Sequence, residues 1–198
     1  YMLNEIVFDI ETQNTFVDVD NDFKKFKISC VSIYSYATDS YASFEENELN
    51  KLWPILEKAD RIIGYNSEHF DLPILHNYYP GDLSVINHLD IMKKVKASVG
   101  IRLKLNSIAM ATLDMEKSAD GLQAIRWWKE GKINEIKKYC EQDVKVTKEI
   151  YEFGKKNRQL FYQSLVGEIV PFAVNFDLAA TNKETPAGKK NINLTLPF

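Results

Sequence analysis

LNEIVFDIE, residues 3–11, joins a β-prone apolar run to two closely spaced carboxylates. Apolar side chains fall on both faces of residues 3–10, which predicts a central strand of a sheet that is covered from both sides. Asp9 and Glu11 stand two residues apart at its end, so their side chains point to the same face. Carboxylates in such an apolar setting repel each other unless a cation lies between them, and Mg²⁺ or Mn²⁺ would supply it. The alternative is that the triplet Asp9-Ile10-Glu11 only ends the strand and binds no ion.

The elements after this strand alternate in type. Residues 27–36 and 40–44 have strand patterns, and with residues 3–10 they predict an antiparallel meander. The predicted elements that follow are a helix over 46–58, a strand over 61–66, a helix over 71–78 and a strand over 85–92. This alternation favours an α/β fold in which a mixed sheet has helices on both faces.

The rest of the chain is predicted to be mainly helical. Helical spacing begins near residue 105, and the longest helix spans about 132–157, where Gly154 is expected to end or interrupt it. One more strand is predicted over 169–177, and a polar tail or linker over 178–198. The chain therefore divides into a domain of residues 1–177 and that tail.

A further acidic position, Asp71, stands where chemistry is expected. Asp71 follows a predicted buried strand and begins a helix, near the sheet end where ligands gather in α/β folds. An acid in a first helical turn is also favoured by the helix dipole alone, which is the structural alternative.

A tyrosine and an acid form a third motif in the long helix. The spacing of four residues places Tyr139 and Asp143 on one helix face, so both could address one bound water or metal ion. With an ordinary pKa near 10, Tyr139 would hold a water molecule in place rather than deprotonate it. The alternative is a surface acid beside a half-buried tyrosine.

The three motifs together resemble a known family. Their order is Asp9-Ile10-Glu11 at a strand end, then Asn66 to Asp71, then Tyr139 to Asp143 in a late helix. This order is similar to that of the DEDD exonucleases, the DnaQ-like branch of the RNase H-like superfamily, over residues 6–151. It is most similar to the DEDDy type, which includes the proofreading domains of family-B DNA polymerases. The DEDDh type carries His five residues before its last Asp, where this chain has Lys138.

The resemblance implies a 3′-to-5′ exonuclease with an RNase H-like fold, which releases nucleoside 5′-monophosphates from a single-stranded 3′ end. It implies two divalent cations, Mg²⁺ or Mn²⁺, with Asp9 bridging them and Tyr139 orienting the attacking water. The implied metal ligands are Asp9, Glu11, Asp71 and Asp143. The residues implied to lie near the terminal nucleotide are Thr12, Asn66 and Phe70. In the related enzymes Leu-Gly commonly closes a helix where this chain has Leu113-Asp114.

Composition describes an ordinary globular chain. It has 198 residues, of which 45% are hydrophobic and 27% charged, with a net charge of −3. The overall charge therefore does not favour nucleic acid. Between Asp90 and Asp114, however, every charged residue is basic, and these residues could steer a strand inward or form a solvated loop. They are Lys93, Lys94, Lys96, Arg102 and Lys104.

Cysteine spacing, apolar runs and the N-terminal sequence bear on where the protein is found. The two cysteines, Cys30 and Cys140, fit neither a disulfide framework nor a zinc site. No apolar run approaches the roughly 18 residues of a membrane span, and no signal peptide is recognised. We expect a cytoplasmic protein that does not associate with membranes. The start at Tyr1 rather than Met leaves two alternatives open, a domain taken from a larger protein or complex and a residue left by cloning.

Two other functions stay open at this stage. A non-catalytic nucleic-acid-binding or assembly module could keep the same fold, although retention of all four acids and Tyr139 argues against it. A structure-selective endonuclease on the same fold is not separated by the motifs. The choice between DNA and RNA is also open, because reading the 2′-hydroxyl depends on pocket contacts.

Overall fold

The computed structural model describes residues 3–115 and 121–178. Its centre is a five-stranded sheet in the order β3-β2-β1-β4-β5. The strands are β1 (Glu5–Thr12), β2 (Ile28–Ser35), β3 (Ser40–Glu45), β4 (Arg61–Gly64) and β5 (His88–Asp90). The first three strands form the predicted antiparallel meander, while β4 and β5 run parallel to β1. The prediction that β1 lies in mid-sheet is confirmed.

Helices cover this sheet and a small hairpin follows the last of them. The α-helices of the described residues are α1 (Leu49–Glu57), α2 (Asp71–Leu75), α3 (Ile91–Val99), α4 (Leu105–Leu113), α5 (Gly121–Lys129) and α6 (Ile133–Asn157). The strands β6 (Gln159–Gln163) and β7 (Ile169–Ala173) pair antiparallel in a separate sheet. No helix in the described ranges is long and apolar enough to cross a membrane.

Alternation along β1 divides the core into two layers. Ile6, Phe8 and Ile10 pack with the buried side chains of α1 and α2, whereas Val7 packs with those of α3, α4 and α6. Burying one such side chain stabilises the fold by about 1.5–3 kcal/mol. Helices therefore lie on both faces of the sheet, as predicted.

The strand predicted over 85–92 is shorter than expected. Pairing covers only His88–Asp90, and the Asp90 carboxylate accepts a hydrogen bond from the Lys93 N–H group as the N-cap of α3. Ile91 is fully buried, so its apolar character extended the strand pattern into the first turn of a helix. Helix α3 was not predicted.

The sequence predicted that Gly154 ends or interrupts the long helix. The structure shows that it does neither. Helix α6 continues to Asn157 and is closed by Arg158 at a left-handed φ of 58°. Gly154 instead gives room to a buried aromatic ring, because a Cβ atom there would overlap Cε2 of Phe176. The strand predicted over 169–177 ends at Ala173, so Phe176 lies in an irregular segment, and β6 was not predicted at all.

Asp114 occupies the position where the resemblance to the DEDD exonucleases implies glycine. It caps α4 with a φ of 53° in the left-handed region. Glycine is the usual residue there, and Asp is among the few others that adopt this conformation readily. Helix α4 therefore ends at Leu113 with Asp114 as its C-cap. Most of the tail predicted over 178–198 lies outside the described residues.

Candidate active site

The sheet and the long helix bring three acids together. Asp9 and Glu11 lie on the face of β1 that faces α6, and Asp143 projects from α6. One carboxylate oxygen from each of the three lies within 4.8 Å of the others. Two strand positions and one helix position separated by more than 130 residues thus form one cluster.

Asp71 lies beside this group but outside the 4.8 Å set. It is the first residue of α2 and is almost fully buried. Its Oδ1 atom accepts a hydrogen bond from the Ile10 N–H group at 3.2 Å, which ties α2 to the end of β1. It lines the same cleft as the three clustered acids.

Tyr139 stands one helical turn before Asp143, as the spacing predicts. Its hydroxyl group hydrogen-bonds the Asp143 carboxylate. The Oδ1 atom of Asp143 is buried and has no hydrogen-bond partner among the described residues. Because leaving a buried carboxylate oxygen unpaired is costly, this atom is suited to receive a cation.

Burial sets the protonation of the acids. It is the largest cause that raises the pKa of Asp9 and Glu11 well above the ordinary range, and the charges of neighbouring acids raise both further. Burial also raises the pKa of Asp71 to about 7 and that of Asp143 to about 6. Close carboxylates with raised pKa values are typical of a site that a divalent cation occupies.

The pKa of the Tyr139 phenol is also raised, first by burial and then by the charge of Asp143. Tyr139 therefore keeps its proton near neutral pH and acts as a hydrogen-bond donor. It is not placed to serve as a general base.

The donor set fits a hard divalent cation. Carboxylate oxygens are the ligands that Mg²⁺ and Mn²⁺ prefer, and Asp143, which contributes one oxygen to the cluster, has a buried oxygen without a hydrogen-bond partner among the described residues. Asp9, Glu11 and Asp143 are the residues that would hold such an ion, with Asp71 beside them.

The residues predicted to lie near the terminal nucleotide all line the acidic cleft, which has a volume of about 360 Å³. Thr12 is buried and donates its hydroxyl proton to the Asn14 carbonyl group at 2.9 Å. Asn66 has a left-handed φ of 64°. Phe70 packs edge-on against Phe26. The acids and possible nucleotide contacts therefore share one cleft.

Sequence reasoning missed Asp90. Its Oδ1 atom accepts the Asn66 N–H group at 2.9 Å, and its Oδ2 atom accepts the Glu68 N–H group at 3.0 Å. With its cap on α3, this one carboxylate fixes the loop that carries Asn66. The available signal was an acid directly before a helical pattern.

The two cysteines lie together beside the acids. Cys30 and Cys140 are fully buried, are hydrogen-bonded to each other and are not disulfide-bonded. The Cys140 thiol also donates to the Asp9 carbonyl oxygen at 3.3 Å. Nothing in their sequence spacing indicates this contact.

The histidines have packing or surface positions. His88 is half-buried, and its Nε2 atom lies 2.8 Å from the Ser67 hydroxyl oxygen. His69 is exposed and meets Phe23 edge-on, and His76 is exposed. None of them belongs to the acidic cluster.

Comparison with known proteins gives a fold and a family. No curated protein matches the chain. The solved structure of the family B DNA polymerase from the hyperthermophilic archaeon Pyrobaculum calidifontis is similar to it, with a TM-score of 0.61 and 16% sequence identity. The similarity covers 78% of this chain and 25% of the polymerase, so this chain spans about a quarter of that protein's length. At this identity the likeness shows a shared fold alone. The RNase H superfamily model matches residues 6–153, well over half of the chain, and the chain therefore belongs to the RNase H superfamily.

Proposed function

We propose that this chain is a metal-dependent 3′-to-5′ exonuclease of the DEDDy type, which releases nucleoside 5′-monophosphates from a single-stranded 3′ end. The observation that carries this proposal is the meeting of Asp9, Glu11 and Asp143, with one buried carboxylate oxygen unpaired. Asp71 beside the cluster completes the set of four acids. Tyr139, four residues before Asp143, is the residue that distinguishes the DEDDy type.

The residues divide the work between binding and positioning. When bound, a pair of divalent cations supplies an activated water and stabilises the leaving oxygen. The four acids would hold the ions, and Tyr139, which keeps its proton, would orient the attacking water through its hydroxyl oxygen while that proton is donated to Asp143. No nucleophilic side chain is required.

The cleft walls support a nucleic-acid substrate. Phe70 and the exposed Phe16 offer aromatic faces on which a terminal base could stack. Thr12 and Asn66 contribute polar groups in the same walls. We assign these residues to the terminal nucleotide.

We also infer that the chain acts as part of a larger protein. The polymerase with the shared fold is about four times as long as the segment that this chain matches. The cytoplasmic location stays a prediction.

The experiment that tests the function is cleavage of end-labelled single strands of DNA and RNA in Mg²⁺ or Mn²⁺. We expect stepwise loss of nucleotides from a free 3′ end and no cleavage when that end is blocked. Asp143→Asn should abolish activity, whereas the matched control Glu141→Gln, an exposed acid on the same helix, should not.

Three results would reject the proposal. Cleavage of 3′-blocked strands would indicate an endonuclease, and binding without cleavage would indicate a non-catalytic module. Activity that persists in EDTA or in Asp143→Asn would remove the acids from the chemistry.

A further inference from the structure

A second cleft opens beside the acidic one. It has a volume of about 270 Å³ and is formed by the loop after β4, by α3 and by the segment after α3. Asn66 lies in the wall of both clefts, so the two are neighbours on the surface. The charged residues of the second cleft are Glu68, Asp90, Lys93, Lys96 and Arg102, together with the titratable His69.

Both acids of this cleft already have hydrogen-bond or ion-pair partners within the protein. The Asp90 carboxylate accepts three backbone N–H groups, those of Asn66, Glu68 and Lys93. The Glu68 carboxylate is paired with Lys93 Nζ at 2.7 and 2.8 Å. Glu68 is therefore paired with a cation, and both oxygens of Asp90 are occupied by backbone N–H groups, so the three cations of the cleft outnumber its two acids by one.

Two cations of this cleft have no acidic partner among the described residues. Lys96 is exposed, and its side chain forms no ion pair with any residue that the structure describes. Arg102 is exposed and donates to the Asn66 side-chain oxygen, which is neutral and leaves the charge of Arg102 uncompensated. The cleft thus carries a net positive charge next to a strongly acidic site.

We propose that this cleft binds the phosphodiester backbone of the nucleic-acid strand upstream of the nucleotide in the acidic cleft. The inference rests on the proposed function and adds where the strand lies. A strand whose last nucleotide reaches the acids needs cations close by, because the acids repel its phosphates. Lys96 and Arg102 supply them, and Asn66 links the two clefts.

The sequence had grouped five basic residues in one strip, and the structure divides them. Lys93 is neutralised by Glu68, while Lys94 and Lys104 do not line the cleft. Lys94 is an exposed lysine on the same helix as Lys96. It is therefore a matched control for Lys96.

The first test measures binding of labelled single strands of about ten nucleotides, within the usual site size of such grooves. The full chain carrying Asp143→Asn is titrated in EDTA over a range of salt concentrations. Adding Lys96→Ala should weaken binding and reduce the slope of log affinity against log salt by about 0.7, the value for one phosphate contact on a single strand. Lys94→Ala should leave the slope unchanged.

Two further comparisons test whether the cleft attracts negative charge and whether it recognises the phosphate group. Glu68→Gln should tighten binding, because it releases Lys93 toward the strand. DNA and RNA strands should lose equal slope in Lys96→Ala, because the phosphate is common to both. Equal slopes for the Lys96 and Lys94 variants, or weaker binding in Glu68→Gln, would overturn the inference.

The second test separates this inference from the proposed function. The p-nitrophenyl ester of thymidine 5′-monophosphate is a substrate that reaches only the acidic cleft. With metal present, the ratio of strand to ester kcat/KM should fall in Lys96→Ala and stay unchanged in Lys94→Ala. If the wild type cleaves neither substrate, the proposed function fails while the binding test still decides the cleft. If it cleaves both and the ratio does not fall, the cleft inference fails alone.

Discussion

At the scale of single residues, two short spacings predicted the pairs of side chains in the acidic cluster, and the resemblance to the DEDD exonucleases implied that these pairs meet. The separation of two along β1 placed Asp9 and Glu11 on one face, and the separation of four along α6 placed Tyr139 beside Asp143. Local periodicity fixes such pairs before any tertiary contact forms. Asp90 and Cys140 were missed because their roles depend on contacts across the fold, which no local spacing encodes.

Tyr139→Phe should lower kcat by about a hundredfold and change KM little, because removing one positioned hydrogen-bonding group typically costs about that much in the chemical step. Steady-state kinetics on a single-stranded substrate measure both constants. Tyr79→Phe is the control, since its hydroxyl donates to the exposed Glu57 and Tyr79 does not line the acidic cleft. A Tyr139→Phe enzyme with the kcat of the wild type would exclude Tyr139 from positioning the water.

The acids should make the metal-free protein less stable as pH rises. Burial raises the pKa of Asp71 from 3.8 to about 7. The folded state therefore binds more protons than the unfolded state between these values, and this contribution to stability is present below about pH 4 and lost as pH rises to about 7. Urea unfolding in EDTA should show the decline.

Asp71→Asn should flatten this decline and raise the free energy of unfolding near neutral pH by on the order of 2 kcal/mol, because the amide carries no charge. Adding Mg²⁺ should stabilise the wild type more than the variant, since the ion binds only the folded site. Asp20→Asn, which removes an acid whose side chain is 82% exposed, is the control. A variant with the same pH profile as the wild type would contradict the assignment.

At the scale of elements, the predictions failed where one apolar pattern served two structures. Ile91 continued the pattern of β5 but begins α3, because Asp90 caps a helix at that point. The hairpin strand β6 was missed because it packs on α4 and α6 rather than on the main sheet. Hydrophobicity shows that these residues are buried, but it does not show which partner buries them.

Gly154→Ala should destabilise the protein although alanine favours helices. The new methyl group would overlap the Phe176 ring, which is fully buried and closely packed. Such overpacking costs about 1–3 kcal/mol, more than the gain of up to about 1 kcal/mol in helix propensity. Chemical unfolding measures the balance.

Shortening the opposing side chain tests the cause. Gly154→Ala combined with Phe176→Leu should lose less free energy of unfolding than the two single changes added together, since the smaller side chain makes room. Simple additivity would show that the methyl group is accommodated in some other way.

At the scale of the whole molecule, the two ends of strand β1 have different roles. One end carries the acids of the candidate active site, and the other carries a buried ion-pair network. The acids stand near the end of β1, whereas Glu5 at its start forms a buried ion pair with Arg61 on β4. Arg61 also donates to the Phe176 carbonyl oxygen at 2.6 Å, and Tyr151 on α6 donates to Glu5 at 2.8 Å. The order of elements predicted the mixed sheet, but this network joins residues far apart in the chain and left no pattern in the sequence.

Arg61→Leu should lower the free energy of unfolding by about 3 kcal/mol, because it leaves the buried Glu5 carboxylate without its closest cation. Lys155, at 3.2 Å from Glu5, would replace only part of that interaction, since its own side chain is 46% exposed. Urea or thermal unfolding measures the loss. The paired change Arg61→Leu with Glu5→Leu should recover much of it, because no charge is then left buried. Activity per folded molecule should persist in both variants, since the network lies at the opposite end of β1 from the acids. A double variant no more stable than Arg61→Leu would show that the hydrogen bond to Phe176, rather than the charge on Glu5, sets the cost.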